Sequence, residues 1–334
     1  MQQGDPLGPS LFALAWQRVA EQANLKMIWS NWYLDDGHLI GNIDDLDKSF
    51  RVICQAGADP VGKLKIRPRL SKCKLWGPGI LKRGHQITIE FPSTIAADSP
   101  LRQVVALPFV SGTGITVLGA PVSWPGNYTY SEDAFTGVVN KLEEACSLLG
   151  HLGDTQMQHC LLRFCLDACK VTHLLRAINW DPFNFIVHKA GKIIRDCLGV
   201  IAGTGLSDLQ WAQARLPIKL SGLGVSDPSL VCYPARMAAI ITYFDQASSL
   251  GIREPRAPSD AQGVMGALSN WLGPNFEPIA SWQERDMGPH TTAIPAFEPD
   301  HRSQEWWSTQ LHKANIRQLS HLGTTRDQAR YACQ

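Results

Sequence analysis

The sequence lacks an apolar run long enough to cross a bilayer, and its first residues lack the basic segment that opens a secretory signal. It also lacks an excess of charge of either sign, since Lys and Arg total 31 against 30 for Asp and Glu. This balance argues against a protein held to nucleic acid by bulk charge, but it leaves room for a local basic strip. We therefore expect neither a membrane protein nor a secreted one.

A disulfide framework is missing as well. The nine cysteines are odd in number, follow no regular spacing and contain no C-x₂-C pair. That usage predicts an intracellular protein, nuclear or cytoplasmic, with reduced thiols. Hydrophobic residues make up 44% of the 334 residues and charged residues 18%, which is enough for a sizeable core and excludes wholesale disorder.

The chain changes character along its length. From Gln2 to about Val122, short helical and strand-like patterns alternate, whereas from Tyr130 to about Phe244 the periodicity is helical. The apolar residues at helical spacing are Met157, Leu161, Phe164, Ala168, Leu175, Ile178, Val187, Ile194 and Leu198. Residues 251–258 are typical of a linker. The tail beyond it is loosely helical, and we expect its tryptophans (Trp271, Trp282, Trp306 and Trp307) to pack in a core rather than stack on bases.

The first motif is Gln3-Gly4-Asp5-Pro6-Leu7-Gly8-Pro9, which precedes an apolar helical run. Asp5 or Ser10 can cap that helix, and a proline suits its first turn. Gly4 has no side chain, so a backbone or a base of another molecule can approach it closely. The alternative is a turn that simply leads into a helix.

The second motif is Tyr33-Leu34-Asp35-Asp36-Gly37. Its first two residues end one strand-like run, and another strand-like run begins at His38. A β-hairpin with Asp35-Asp36-Gly37 as its tight connection is the natural interpretation. The adjacent carboxylates repel each other, and a divalent cation such as Mg²⁺ converts that repulsion into binding. The alternative is a solvated Asp-Gly turn.

The two motifs together, in this order and about thirty residues apart, resemble the palm of reverse transcriptases, most closely the non-LTR (LINE-like) retrotransposon type. Further similarity lies downstream, in Ser71-Lys72-Cys73-Lys74, in residues 117–122 and in the stretch from Arg215 to Gly224. The segment from Lys63 to Pro68 departs from the family pattern. The resemblance implies an α+β fold: a partial polymerase palm (helix, β-hairpin, helix, strands) followed by a mainly helical thumb-like region.

The resemblance also implies a role for each motif residue. Asp35 and Asp36 would be the catalytic, Mg²⁺-binding carboxylates of a two-metal nucleotidyltransferase, with Asp35 the principal ligand. The residues implied for nucleotide and template binding are Gln3, Gly4, Asp5, Pro6, Tyr33 and Lys72. The implied partners are an RNA template, a DNA primer and deoxynucleotides. Residues 117–122 correspond to a strand pair associated with the primer end.

A basic strip supports the same function from charge alone. Lys63, Lys65, Arg67 and Arg69 alternate with apolar residues, which on a strand would place all four cations on one face, against a nucleic-acid backbone. The alternative is an edge strand made soluble by charge.

The family's third carboxylate and its fingers would lie upstream of Gln3, so we expect weak Mg²⁺ binding and little polymerase activity from the chain as written. We also expect the upstream part of a polyprotein as a further partner. The predicted division is a partial palm at 1–125, a helical thumb-like region at 126–250, and a linker with a helical tail at 251–334. Two alternatives remain: a catalytically inactive remnant that binds nucleic acid through the basic strip, and an unrelated globular protein in which both motifs are turns. A structure that places Asp35 far from Gly4 would favour the latter.

Cys160, Cys165, Cys169 and His173 lie close together in sequence, and the last three share one face of an uninterrupted helix. Zinc sites usually pair C-x₂₋₄-C with ligands from another element, so we expect these cysteines to be buried core residues.

Overall fold

The computed structural model describes residues 7–24, 27, 29–33, 36–56, 68–78, 80–83, 86–89, 91–124, 126–249, 258, 260–273 and 303–322. They fall into two compact units divided after Ser131. The predicted mixed α+β class is confirmed, because the strands described all lie before the division and the described residues after it form helices and turns. The predicted linker, residues 251–258, lies almost wholly outside the described residues, and the three-part division stays a prediction.

The first unit is built from two helices and short strands. Its helices are α1 (Gly8–Asn24) and α2 (Ile43–Ala56). Its strands are β1 (Trp29–Tyr33), β2 (Asp36–Ile40), β3 (Lys74–Trp76), β4 (Ile80–Arg83), β5 (Gln86–Ile89), β6 (Val105–Leu107), β7 (Gly114–Val117) and β8 (Ala120–Ser123). They pair into four two-stranded sheets: β1 with β2, β4 with β5 and β7 with β8 antiparallel, and β3 with β6 parallel.

The helices α1 and α2 pack together over the β1–β2 hairpin. Trp16, Val19 and Ala23 recur at helical spacing on α1 and are buried, together with Ile53 of α2. Asn42 caps α2, because its side-chain oxygen accepts a hydrogen bond from the Asp45 amide at 2.9 Å. A helix, a hairpin and a second helix therefore follow one another around one small apolar cluster.

Polar contacts tie residues 91–104 to α2. The Ser99 hydroxyl donates to one Asp47 oxygen, and Arg51 Nε donates to the other at 2.9 Å. Arg51 Nη2 also donates to Asp98 at 3.2 Å, and hydrogen bonds to these two carboxylates raise the pKa of Arg51. Asp47 and Ser99 are buried, so each relies on the other to satisfy its hydrogen-bonding groups.

The second unit is helical in its described residues. Its helices are α3 (Thr129–Leu149, which begins just before the division), α4 (Thr155–Leu161), α5 (Thr172–Ala177), α6 (Asn184–Ala202), α7 (Asp208–Ala214), α8 (Pro228–Ser249), α9 (Ala261–Leu272) and α10 (Gln304–Leu322). More than twenty buried side chains of α3 to α8 form one continuous core, in which Phe135 and Phe183 meet edge to face with ring centroids 6.1 Å apart.

A second cluster joins the tail to α8. Trp307 of α10 is completely buried there, against Leu268 of α9 and the end of α8. The expectation that the tail tryptophans pack is confirmed for Trp307. Trp271 and Trp306 pack against the same cluster, and Trp282 lies outside the described residues.

The chain from 161 to 170 departs from the predicted continuous helix. After α4, a π turn (Leu162–Leu166) and a 3₁₀ turn (Ala168–Lys170) break the 3.6-residue period. Of the apolar residues at helical spacing, Met157 and Phe164 are exposed, whereas Ala168, Leu175 and Ile178 are buried. A single helical period does not hold here because the backbone changes its turn width within the apolar pattern.

The prediction that these cysteines are buried core residues is also wrong. Cys160, Cys165 and Cys169 are exposed rather than buried. The interrupted helix also removes the shared face on which Cys165, Cys169 and His173 were expected to lie.

Candidate functional site: the hairpin of residues 29–40

The hairpin pairs Trp29 with Ile40 at its base and Tyr33 with Asp36 at its last described pair. Leu34 and Asp35 come between these two positions in sequence and lie outside the described residues. Asp36 is exposed, so its carboxylate is accessible at this end of the hairpin. The Tyr-x-Asp-Asp motif thus begins at the last residue of β1 and ends at the first residue of β2.

Aromatic packing fixes the hairpin against α1. Trp32 meets Trp16 edge to face with ring centroids 5.6 Å apart, and its indole N–H donates to the Asn24 side chain at 3.2 Å. Opposite Trp32 in the register stands Gly37, and a Cβ at Gly37 would overlap the Trp32 ring. The glycine after the two acids is therefore required by cross-strand packing.

This packing corrects the predicted turn. Asp35-Asp36-Gly37 was expected to form the connection, with the second strand beginning at His38. In the structure Asp36 and Gly37 already belong to β2. The Asp-Gly signal was misread because the glycine makes room for a tryptophan instead of supplying a turn conformation.

Several predicted site residues lie outside the described residues. They are Gln3, Gly4, Asp5, Pro6, Asp35, Lys63, Lys65 and Arg67. The side chain of Tyr33 is not described either, although its backbone is the last residue of β1. The distance from Asp35 to Gly4, which distinguishes the alternative of two unrelated turns, is therefore not defined by the described residues.

Arg69 and Lys72 are exposed, but they do not lie on a strand. The Lys72 amide donates to the Arg69 carbonyl at 2.8 Å, and the Cys73 amide donates to the carbonyls of Arg69 and Leu70. The expected strand face of four cations is wrong at Arg69, because the chain there enters a turn that leads into β3. Cationic side chains remain available to solvent at both positions.

The strand pair expected at residues 117–122 is the β7–β8 hairpin. Its two connecting residues, Leu118 and Gly119, both have positive φ, at 49° and 80°. That is the conformation of a two-residue primed turn, which glycine adopts freely and leucine rarely does. The Leu118 side chain is 42% exposed at the hairpin tip.

The hairpin offers Mg²⁺ the right kind of ligand but few of them in the described part of the chain. Carboxylate oxygens suit this hard cation, and exposed Asp36 leaves space for water and substrate oxygens. No group of three or more His, Cys, Asp or Glu side chains that could hold a metal occurs among the described residues. The proposed principal ligand, Asp35, lies outside the described residues.

The stretch from Arg215 to Gly224 forms a tight loop in the second unit. A Cβ at Gly222 would overlap the Leu216 backbone, and Gly224 has a φ of 70° beneath the Arg163 guanidinium. Arg215 pairs with buried Asp227 at 2.8 Å. The residues of this motif thus build a tight loop between α7 and α8.

Sequence reasoning missed a cavity of about 250 Å³ beside this loop. Asp167, Arg215, Asp227 and His312 are among the side chains that line it. Burial raises the pKa of Asp167, while burial and nearby cations lower the pKa of His312. No sequence signal joins these residues, because they come from segments far apart in the chain.

No protein-family model, curated protein or solved structure matches the chain. Among the helices that the structure describes, none combines the length and the apolar character needed to span a membrane.

Proposed function

We propose that the chain is part of an RNA-directed DNA polymerase of a non-LTR retrotransposon, with residues 1–125 in its palm and residues 126–250 in a thumb-like helical region. The observation that carries this proposal is the antiparallel pairing of Tyr33 with Asp36, directly after α1 and directly before α2. In sequence, the two-acid motif comes where β1 ends and β2 begins, with α1 before the hairpin and α2 after it.

The proposed chemistry needs carboxylates that can reach substrate. Asp36 is exposed, and Asp35 precedes it in the same motif, so the two can ligate Mg²⁺ together. Bound Mg²⁺ would activate the primer 3′ hydroxyl and stabilise the pyrophosphate that leaves. Exposed Lys72 supplies a cation for the departing pyrophosphate, and the Leu118 tip of the β7–β8 hairpin supplies an apolar contact for the primer end.

Iron-directed backbone cleavage tests the metal site on the chain as it exists. Fe²⁺ replaces Mg²⁺ and, with ascorbate and peroxide, should cut the chain at residues 33–37. Asp35→Asn and Asp36→Asn should each reduce this cleavage at least tenfold, because each removes a charged ligand. Asp133→Asn, at an exposed position on α3, is the matched control and should leave cleavage unchanged. Cleavage elsewhere only, or cleavage that both hairpin variants retain, would overturn the proposal.

The alternative of an inactive nucleic-acid-binding protein is distinguished by a parallel measurement. Salt-dependent binding of an RNA–DNA hybrid, followed by fluorescence anisotropy, should weaken when Lys63, Lys65, Arg67 and Arg69 are all changed to Gln. Loss of up to four phosphate contacts would reduce the slope of log K against log salt by about 3–4. Hybrid binding with this dependence, but without iron cleavage at the hairpin, favours the inactive binding protein over a polymerase.

A further inference from the structure

The cavity of about 250 Å³ in the second unit is a polar site that the proposed polymerase chemistry does not use. It lies between the 3₁₀ turn at 168–170, the segment 226–231 and the first half of α10. A volume of this size holds a ligand of several non-hydrogen atoms, or several waters at about 30 Å³ each.

One wall of the cavity carries a buried negative charge without a cationic partner. Asp167 is 4% exposed, and its two oxygens accept hydrogen bonds from the amides of Cys169 at 3.0 Å and Ser226 at 3.1 Å. Among the described residues, no Lys, Arg or His side chain forms an ion pair with it. Burial raises the pKa of Asp167, and the two backbone hydrogen bonds oppose that rise.

The nearby cation does not neutralise Asp167. Arg215 donates from Nη1 to Asp227 at 2.8 Å, and the other Asp227 oxygen accepts from the Ser229 amide and hydroxyl. Arg215 is therefore paired with Asp227, and Asp167 is the carboxylate of the lining that has no ion-pair partner among the described residues.

His312 does not supply the missing positive charge either. Burial and the neighbouring cations Arg215 and Lys219 lower the pKa of His312, so its imidazole is neutral at pH 7. Its Nδ1 is buried and has no hydrogen-bond partner. The same wall carries the Ser308 hydroxyl and the Gln304 side chain, whose Oε1 already accepts from Arg176 at 3.3 Å. The lining therefore offers His312 Nδ1 and the Ser308 hydroxyl as acceptors, while Arg215 Nε is a buried donor that has no hydrogen-bond partner among the described residues.

We propose that this cavity binds a primary ammonium group, with the Asp167 carboxylate as its counter-ion. An ammonium carries three N–H donors on one compact charge, which suits a small cavity whose lining holds the Arg215–Asp227 ion pair and a further carboxylate, Asp167, outside that pair. The ammonium can belong to a free alkyl diamine or to a lysine side chain of another polypeptide. This proposal is independent of the polymerase chemistry at the hairpin.

Isothermal titration of the full chain with 1,5-diaminopentane tests it, with 1,5-pentanediol as an uncharged probe of equal length. We expect saturable diamine binding and no diol binding. Asp167→Asn should weaken diamine binding at least tenfold, and Asp196→Asn, at an exposed position on α6, should leave it unchanged. Blocked Nα-acetyl-lysine methylamide separates the two sources: tighter binding than the diamine indicates a lysine side chain, and weaker binding indicates a free amine.

A second variant protects the test against a folding defect, because Asp167 also holds the Cys169 and Ser226 amides. Ser308→Met extends a side chain from α10 into the cavity and should abolish diamine binding while leaving the circular dichroism spectrum unchanged. Equal binding of diol and diamine, binding retained by both variants, or no diamine binding by the folded chain at 10 mM would each overturn the proposal.

Discussion

The two units of this protein are stabilised in different ways. In the second unit, more than twenty buried apolar side chains form one core, and a second cluster adds the tail. In the first unit, the largest cluster among the described residues has four buried members, and the strands form only two-stranded sheets. Two-stranded sheets are marginal on their own, so the first unit depends on individual contacts such as Asp47 with Ser99 and Trp32 over Gly37.

The largest expected change in the free energy of unfolding comes from the core of the second unit. Phe183→Ala should lower the free energy of unfolding by about 3–5 kcal/mol, because a fully buried ring is removed from the core. Phe185→Ala is the matched control, since this ring lies two residues away and is 60% exposed. Urea denaturation measures both. Similar losses in the two variants would contradict a core defined by this burial.

A smaller effect tests the dependence of the first unit on single polar contacts. Asp47→Ala should cost about 1.5–3 kcal/mol, because it leaves the buried Ser99 hydroxyl without its acceptor and Arg51 without its nearer partner. Hydrogen exchange of peptides from residues 43–56 measures the loss.

Asp98→Ala is its control, because Asp98 also binds Arg51 but is 80% exposed. We expect it to cost less than about 1 kcal/mol. If Asp98→Ala proves as costly as Asp47→Ala, solvent exposure does not decide which contacts matter in this unit.

The smallest effect concerns the hairpin itself. Gly37→Ala should cost about 1–2 kcal/mol, because the new methyl group must displace the Trp32 ring. Gly77→Ala, where a Cβ meets nothing within 4 Å, should be nearly neutral. Trp32→Val should restore tolerance to Gly37→Ala in the double variant. Thermal unfolding monitored by tryptophan fluorescence measures the three single variants (Gly37→Ala, Gly77→Ala and Trp32→Val) and the double variant. A neutral Gly37→Ala would mean that the Trp32 ring is free to move.

The contrast also explains what the sequence could and could not predict. Long helices such as α6, with Val187, Ile194 and Leu198 buried, follow directly from apolar periodicity. The hairpin was predicted as an element, but its turn was placed too late because Gly37 serves a tryptophan on the opposite strand.

Predictions failed where local geometry changes inside a pattern or where partners are distant in sequence. The π turn at Leu162–Leu166 shifts the helical period, so the apolar spacing does not reveal that Phe164 is exposed. The cavity could not be foreseen, because Asp167 and His312 meet only through the packing of α10 on α8 and α7. The metal-binding role of Asp35 and Asp36 rests on motif chemistry and stays a prediction.

The contacts from α2 to residues 98 and 99 have a consequence for chain entropy. Asp47 with Ser99 and Arg51 with Asp98 join positions 52 and 47 residues apart, so they close a loop of that length. The entropic cost of closure rises only slowly, by about 0.6 kcal/mol for each doubling of loop length. Once these contacts have formed, insertions between α2 and β3 add little to that cost. In sequence, the basic segment at 63–69 lies within this loop, so we expect changes in its length to have little effect on the free energy of unfolding.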